Sequence, residues 1–238
     1  MKIHLLGVNG PFPESGGATS GYLLDTGREL IQFDLGSGVL SRLTARTAPE
    51  ALSAICLTHW HYDHTADLPV LMYRLQALGK QIRIYAPEDE SSPVFRLVSS
   101  EPSFLLTPVR SGYSFQIGNL SLTAGPARHP VPTVGYRIHS AEADWGYTGD
   151  TNTHPDLVSF YQGCRLLLCD GLFSSETWSE QKPHLSASLA AQLALDAACE
   201  QLVLTHLNPC IPSRMLLEEA RALHPRVTLA QAGGTLTL

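Results

Sequence analysis

The sequence predicts an α/β sandwich: two β-sheets packed face to face, flanked by helices, in one domain. Three observations predict it. Strand-like runs dominate twice, early in the chain and again after Tyr113, and each block is followed by helical segments. Two β-then-α halves favour paired sheets over one doubly wound parallel sheet. Only 16% of the 238 residues are charged and 44% are hydrophobic, so a large apolar interior must be buried. No tandem repeat, low-complexity tract or flexible linker divides the chain, and the halves meet near Gly125.

Residues 3–8 read as a strand, and 9–21 as a loop rich in Gly, Pro and Ser. Strands follow at 22–24 and 30–33, the second ending in Asp34 and the Gly36-Ser37-Gly38 turn. Residues 39–45 look helical, 54–57 form a short buried strand, and 58–64 a loop at its C-terminal end. Residues 68–78 have helical periodicity, with Gly79 as C-cap. A strand at 82–85 stops at Ala86-Pro87. Residues 88–112 are the least legible and read as a helix plus a loop over the site. Strands resume at 113–117, 120–125, 133–138 and 145–148, then a helix at 155–161 and a strand at 166–169. An alanine-rich helix at 186–199, a strand at 202–205, a helix at 214–223 and strands at 227–230 and 235–238 complete the chain.

The net charge of −6 weighs against a partner gripped along a phosphate backbone, because such binding needs a basic face. It leaves room for a small anionic substrate, since bound dications add positive charge that this count omits. The five cysteines are odd in number and contain no Cys-x-x-Cys pair, which reads as reduced, mostly buried thiols in a cytoplasmic protein. No signal peptide is legible after Met1, and no run of 18 apolar residues marks a membrane span.

The chemistry is concentrated in Thr58-His59-Trp60-His61-Tyr62-Asp63-His64. Three imidazoles and a carboxylate in six positions suit zinc, manganese or iron. An exposed polar loop would gain nothing from this pattern, because neighbouring histidines repel as they protonate. His59 and His61 converge if the loop curls, while Asp63 and His64, entering the next helix, face a second point. One segment thus serves two metals. Four residues do not complete two shells, so further ligands are sought where later strands end. His129, Asp150 and His206 each follow an apolar strand, sharing the local order of His59. His4, His139, His154 and His224 do not fit the pattern and read as surface or packing residues.

These residues, from the Gly-rich loop at 9–21 to the strand before His206, resemble the metallo-β-lactamase superfamily. The resemblance implies an αββα four-layer sandwich with the site at one edge of the two sheets. It implies that His59, His61 and His129 hold a first metal, that Asp63, His64 and His206 hold a second, and that Asp150 bridges both. Two divalent ions, zinc first and manganese second, would share a water or hydroxide.

Lys182-Pro183-His184-Leu185-Ser186, ahead of the alanine-rich helix, resembles the ribonuclease Z and cyclic-nucleotide phosphodiesterase branch. There a histidine in this setting gives a proton to the leaving oxygen, and His184 matches it. Leu168-Cys169-Asp170-Gly171 resembles the segment where the branch carries a glutamate that orients the donor; here the acid is Asp170, one methylene shorter. Asp63, counted with the ligands, also stands with His184 and Asp170 in the catalytic set. Ser186, Ser188 and the helix N-terminus offer donors to an anion.

The basic arm that grips tRNA in ribonuclease Z is not found, and the loop at 9–21 lacks the basic residue the branch often places there. The expected substrate is therefore a small phosphodiester, a cyclic nucleotide or a nucleic-acid end. Precursor tRNA, and a thioester or lactone of the glyoxalase II kind, are the rival substrates. A non-catalytic metal-binding sensor is disfavoured because all seven ligand positions are kept. No membrane partner is expected, and a homodimer is open through residues 71–78 or 88–112.

Overall fold

The computed structural model describes residues 1–141 and 143–238. Fourteen strands form two seven-stranded sheets among the described residues. The first sheet is built from β1 (Lys2–Gly7), β2 (Gly21–Asp25), β3 (Leu30–Phe33), β4 (Ala54–Cys56), β5 (Ile82–Ala86) and β6 (Phe104–Pro108). The second uses β7 (Ser114–Ile117), β8 (Leu120–Gly125), β9 (Gly135–His139), β10 (Asp144–Tyr147), β11 (Leu166–Asp170), β12 (Gln201–Thr205) and β13 (Val227–Leu229). The last strand, β14 (Thr235–Thr237), returns to the first sheet and pairs antiparallel with β1.

Both sheets share one plan. β1, β2 and β3 are antiparallel neighbours, then β3 to β6 run parallel. Likewise β7 to β10 are antiparallel and β10 to β13 parallel. Parallel neighbours need crossovers, and short helices supply them. On the first sheet these are α1 (Val39–Thr44), α2 (Tyr62–Thr65), α3 (Leu68–Leu78) and α4 (Pro93–Ser100). On the second they are α5 (Leu157–Phe160), α6 (Ala187–Asp196) and α7 (Ser213–Arg221).

Alternation along each strand creates three apolar layers. In β2, Tyr22 and Leu24 enter the core between the sheets, while Leu23 faces the helices of the first half. In β11, Leu166 and Leu168 face the same inter-sheet core, and Leu167 and Cys169 face α6 and its neighbours. Burial on both faces explains why these strands read as continuous apolar runs. The result is the expected αββα order. No helix among the described residues is long and apolar enough to cross a membrane. All five cysteines are free, and only Cys210 is exposed.

Residues 88–112 depart from the sequence expectation. The helix is present as α4, but it leads into β6, an edge strand paired with β5 from Ile82↔Phe104 to Ala86↔Pro108. Only Phe104 of β6 is buried, so no alternation announces it, and Pro102 and Pro108 make its ends look like loop. The part that borders the site is the short stretch around Asp89 to Pro93.

Candidate metal centre

The candidate site residues sit where strands end. β4 leads into the loop bearing His59 and His61, β10 into Asp150, and β12 into His206, while Asp170 is the last residue of β11. This is the carboxyl edge of the parallel strands, the usual place for a site in open α/β sheets. Gly149 has φ +58°, a left-handed turn that delivers Asp150 inward; a Cβ there would lie 2.7 Å from the Thr58 side chain. His206 itself has φ +55° and Asp34 φ +50°, conformations that non-glycine residues adopt at a cost of roughly 1–3 kcal/mol.

The seven residues named as candidate ligands lie close together, within groups of side chains able to hold a metal ion. The first group holds His59, His61, His129 and Asp150; the second holds Asp63, His64, Asp150 and His206. In each, one donor atom per residue lies within 4.8 Å of the others. Asp150 belongs to both. His61 Nδ1 lies 2.9 Å from His59 Nε2 and 3.1 Å from His129 Nε2. Asp150 Oδ2 is 3.6 Å from His59 Nε2, and Asp150 Oδ1 is 3.2 Å from His64 Nε2. Asp63 Oδ2 lies 3.6 Å from His64 Nε2 and 3.7 Å from His206 Nε2.

This donor set fits divalent ions. Donors about 2.1 Å from a tetrahedral zinc stand roughly 3.4 Å apart, and the separations above run from 2.9 to 3.7 Å around that value. His64 Nε2, His206 Nε2 and Asp150 Oδ1 are buried without a hydrogen-bond partner, a costly state unless a cation satisfies them. Burial, reinforced by neighbouring imidazoles, pushes His59 well below its usual range. Burial likewise holds His206 low and takes His129 down to about 4, so these rings keep their lone pairs. Burial would raise Asp150, but His206, His64 and His184 outweigh it and keep the carboxylate ionised. Asp63 is lifted by burial to about 6.

The rings are held by partners outside the clusters. Asp34, fully buried, accepts from His64 Nδ1 (2.8 Å), from the Thr58 backbone N–H (2.8 Å) and hydroxyl (3.0 Å), and from Tyr147 OH (2.6 Å). Because the Thr58 hydroxyl donates to Asp34, its oxygen accepts from His59 Nδ1 at 3.0 Å. One carboxylate therefore sets the tautomer of a histidine in each cluster, leaving both Nε2 atoms free to ligate. Pro183 O fixes His129 in the same way, accepting from Nδ1 at 3.0 Å, and Ser20 Oγ meets His206 Nδ1 at 3.1 Å. Sequence reasoning did not single out Asp34. Its signal was the order it shares with Asp150: an apolar strand, then an acid.

His184 and Asp170 also pair. His184 Nδ1 lies 2.8 Å from Asp170 Oδ2, and both are buried. The ring stacks on His206 with centroids 5.0 Å apart and lies 5.3 Å from that of His129. Burial would lower His184, but the carboxylates of Asp170 and Asp150 prevail and raise it to about 9; burial lifts Asp170 to about 6. The serines nearby serve the fold instead of standing free for an anion. Ser186 caps α6, accepting from Leu189 N at 3.2 Å, and Ser188 Oγ is tied to Ser175 Oγ at 2.7 Å and to Glu219.

The remaining histidines lie in neither cluster. His4 bonds Thr235 Oγ1, His139 is exposed, His154 sits beside Asp156, and His224 is buried against Cys199 O.

Known proteins share this fold. A family model described as the beta-lactamase superfamily domain matches residues 21–207. A probable metallo-hydrolase of Bacillus subtilis, YhfI, is 29% identical over 98% of both chains. The crystal structure of YhfI, described as a metallo-beta-lactamase fold protein, superposes with a TM-score of 0.93 at 27% identity, covering 99% of this chain and 98% of the other. Ribonuclease Z of Methanopyrus kandleri is 26% identical over 98% of this chain and 96% of its own. The short form of human tRNase Z shares the fold, with a TM-score of 0.80 at 20% identity over 100% and 99% of the two chains. The chain belongs to the β-lactamase superfamily and is a metal-dependent hydrolase of the metallo-β-lactamase fold.

Proposed function

We propose that this hydrolase is a phosphodiesterase for small phosphodiesters, a cyclic nucleotide or a nucleic-acid end. The observation that carries the reading is the His184–Asp170 pair, 2.8 Å apart and packed against both metal clusters. His59, His61 and His129 would hold one ion, Asp63, His64 and His206 the other, and Asp150 both. When bound, two divalent ions, zinc or manganese, supply Lewis acidity and screen the phosphate charge.

The chain's own residues do the rest. Asp170 accepts from His184 Nδ1, so the transferable proton sits on Nε2. An alkoxide leaves poorly unless protonated, and a positioned imidazolium contributes about 10²- to 10⁴-fold. A thioester expels a thiolate, which leaves without such a donor. Pro183 O orients His129 while the next residue is His184, so one loop aligns a ligand and the donor together.

The net charge of −6 favours a small substrate over tRNA, whose binding rests on many cationic contacts. The test is a panel on metal-replete protein: 2′,3′- and 3′,5′-cyclic nucleotides, bis(p-nitrophenyl) phosphate, a lactone, a thioester and precursor tRNA. Small diesters should be cleaved fastest. Faster 3′ cleavage of precursor tRNA, or turnover confined to the lactone or thioester, overturns the reading.

A further inference from the structure

A cavity opens beside the candidate metal site. It has a volume of about 260 Å³ and is lined by Trp60, His61, Tyr62, Asp89, Pro93 and Val131. Two of its three walls extend ligand-bearing segments: Trp60 to Tyr62 continue from His59, and Val131 lies two residues beyond His129. The third is the stretch ahead of α4. A group seated here is therefore covalently within reach of a phosphate at the ions. The volume is below that of pockets for drug-sized ligands, and suits a single planar ring system.

The wall chemistry narrows the occupant. Tyr62 is 62% exposed although aromatic, a flat surface left open at the cavity edge. Asp89 is only 8% exposed, and its Oδ1 accepts from the Ser91 backbone N–H and hydroxyl. Among the described residues nothing donates to Asp89 Oδ2. That oxygen is not sealed from solvent, so it can accept from a group that enters the cavity. A carboxylate there repels phosphate, which keeps the diester at the ions and admits a ring carrying an N–H group. A plain acyl chain would leave Asp89 unanswered.

We propose that this cavity is the nucleobase subsite, with Tyr62 stacking the ring and Asp89 accepting from an exocyclic amine. The inference rests on the phosphodiesterase reading and narrows its substrate to amino-bearing nucleotides. Adenine and unsubstituted purine make a matched pair, because they differ only at C6, by an amine against a hydrogen.

The experiment is calorimetric binding of adenosine 5′-monophosphate and purine riboside 5′-monophosphate to the metal-loaded protein. Neither is a diester, so binding is read without turnover and a failure of the phosphodiesterase assay stays a separate result. The wild type should bind the adenosine nucleotide at least fivefold more tightly. Asp89→Asn should erase that preference, and Tyr62→Ala should weaken both ligands by roughly tenfold, the usual worth of one stacked base. Because Tyr62 is exposed, its variant keeps the test alive if Asp89→Asn does not fold. Equal wild-type affinity for the two nucleotides, a preference that survives Asp89→Asn, or undiminished binding by Tyr62→Ala overturns the proposal.

Discussion

At the scale of single residues, the site divides into atoms that face the clusters and atoms that aim them. His184→Ala should leave the metal content intact and slow turnover by roughly 10²- to 10⁴-fold on a diester with an alkyl or ribosyl leaving group. The defect should shrink with p-nitrophenolate, which departs without a proton. Equal loss on both substrates, or loss of metal, removes His184 from the donor role. Asp170→Asn should show a milder version, since an orienting carboxylate transfers no proton itself. Asp34→Asn is the counterpart on the metal side. Asp34 aims His64 directly and His59 through Thr58, so the variant should weaken metal binding at both clusters, by about 10- to 100-fold. Titration with zinc and a competing chelator reads this; an effect confined to one equivalent would contradict the shared role.

At the scale of elements, the N-terminal loop matters more than its composition suggests. Its Gly10 N–H donates to Leu207 O at 3.1 Å, and Leu207 N–H donates back to Val8 O at 2.8 Å, pinning the loop beside His206. A Cβ on Gly10 would fall 2.1 Å from His206 Nε2. Gly10→Ala should therefore displace that ring and lose one metal equivalent while the His59–His61–His129 cluster keeps the other. Two equivalents retained by elemental analysis would show that the loop yields instead. The loop was legible in the sequence as a turn-rich segment, yet its partner was not, because Leu207 lies at the far end of the chain. The same limit hid Asp34, whose partners Thr58, His64 and Tyr147 are distant in sequence. What the sequence did disclose was local: apolar runs long enough to be strands, and ligands placed just after them. β6 escaped because an edge strand with one buried residue has no pattern to show.

For the molecule as a whole, the site is where the two sheets are joined by polar atoms. Tyr22 OH of the first sheet meets Thr205 Oγ1 of the second at 2.6 Å, Tyr147 OH reaches back to Asp34, and Tyr136 OH donates to Leu57 O at 2.8 Å. Each cluster also draws on both halves, through His129, Asp150 and His206. Metal binding is then folding energy for the sandwich. At a hundredfold excess over Kd each ion adds about 2.7 kcal/mol. In a chain of this size that is a shift of roughly 5–10 °C in Tm per ion. Calorimetry of the protein with two zinc equivalents, and again after EDTA, should show that drop; an unchanged Tm would mean that the ions do not bind the folded state in preference to the unfolded chain. The pairing of β14 with β1 carries a further consequence, for synthesis on the ribosome. β1 is made long before β14, so its outer edge stays unpaired until residues 235–237 have been made. His59 to His64 emerge long before His206. A nascent chain thus holds half a metal site and an open strand edge together, the kind of exposed edge that invites association between chains, until β14 closes the first sheet.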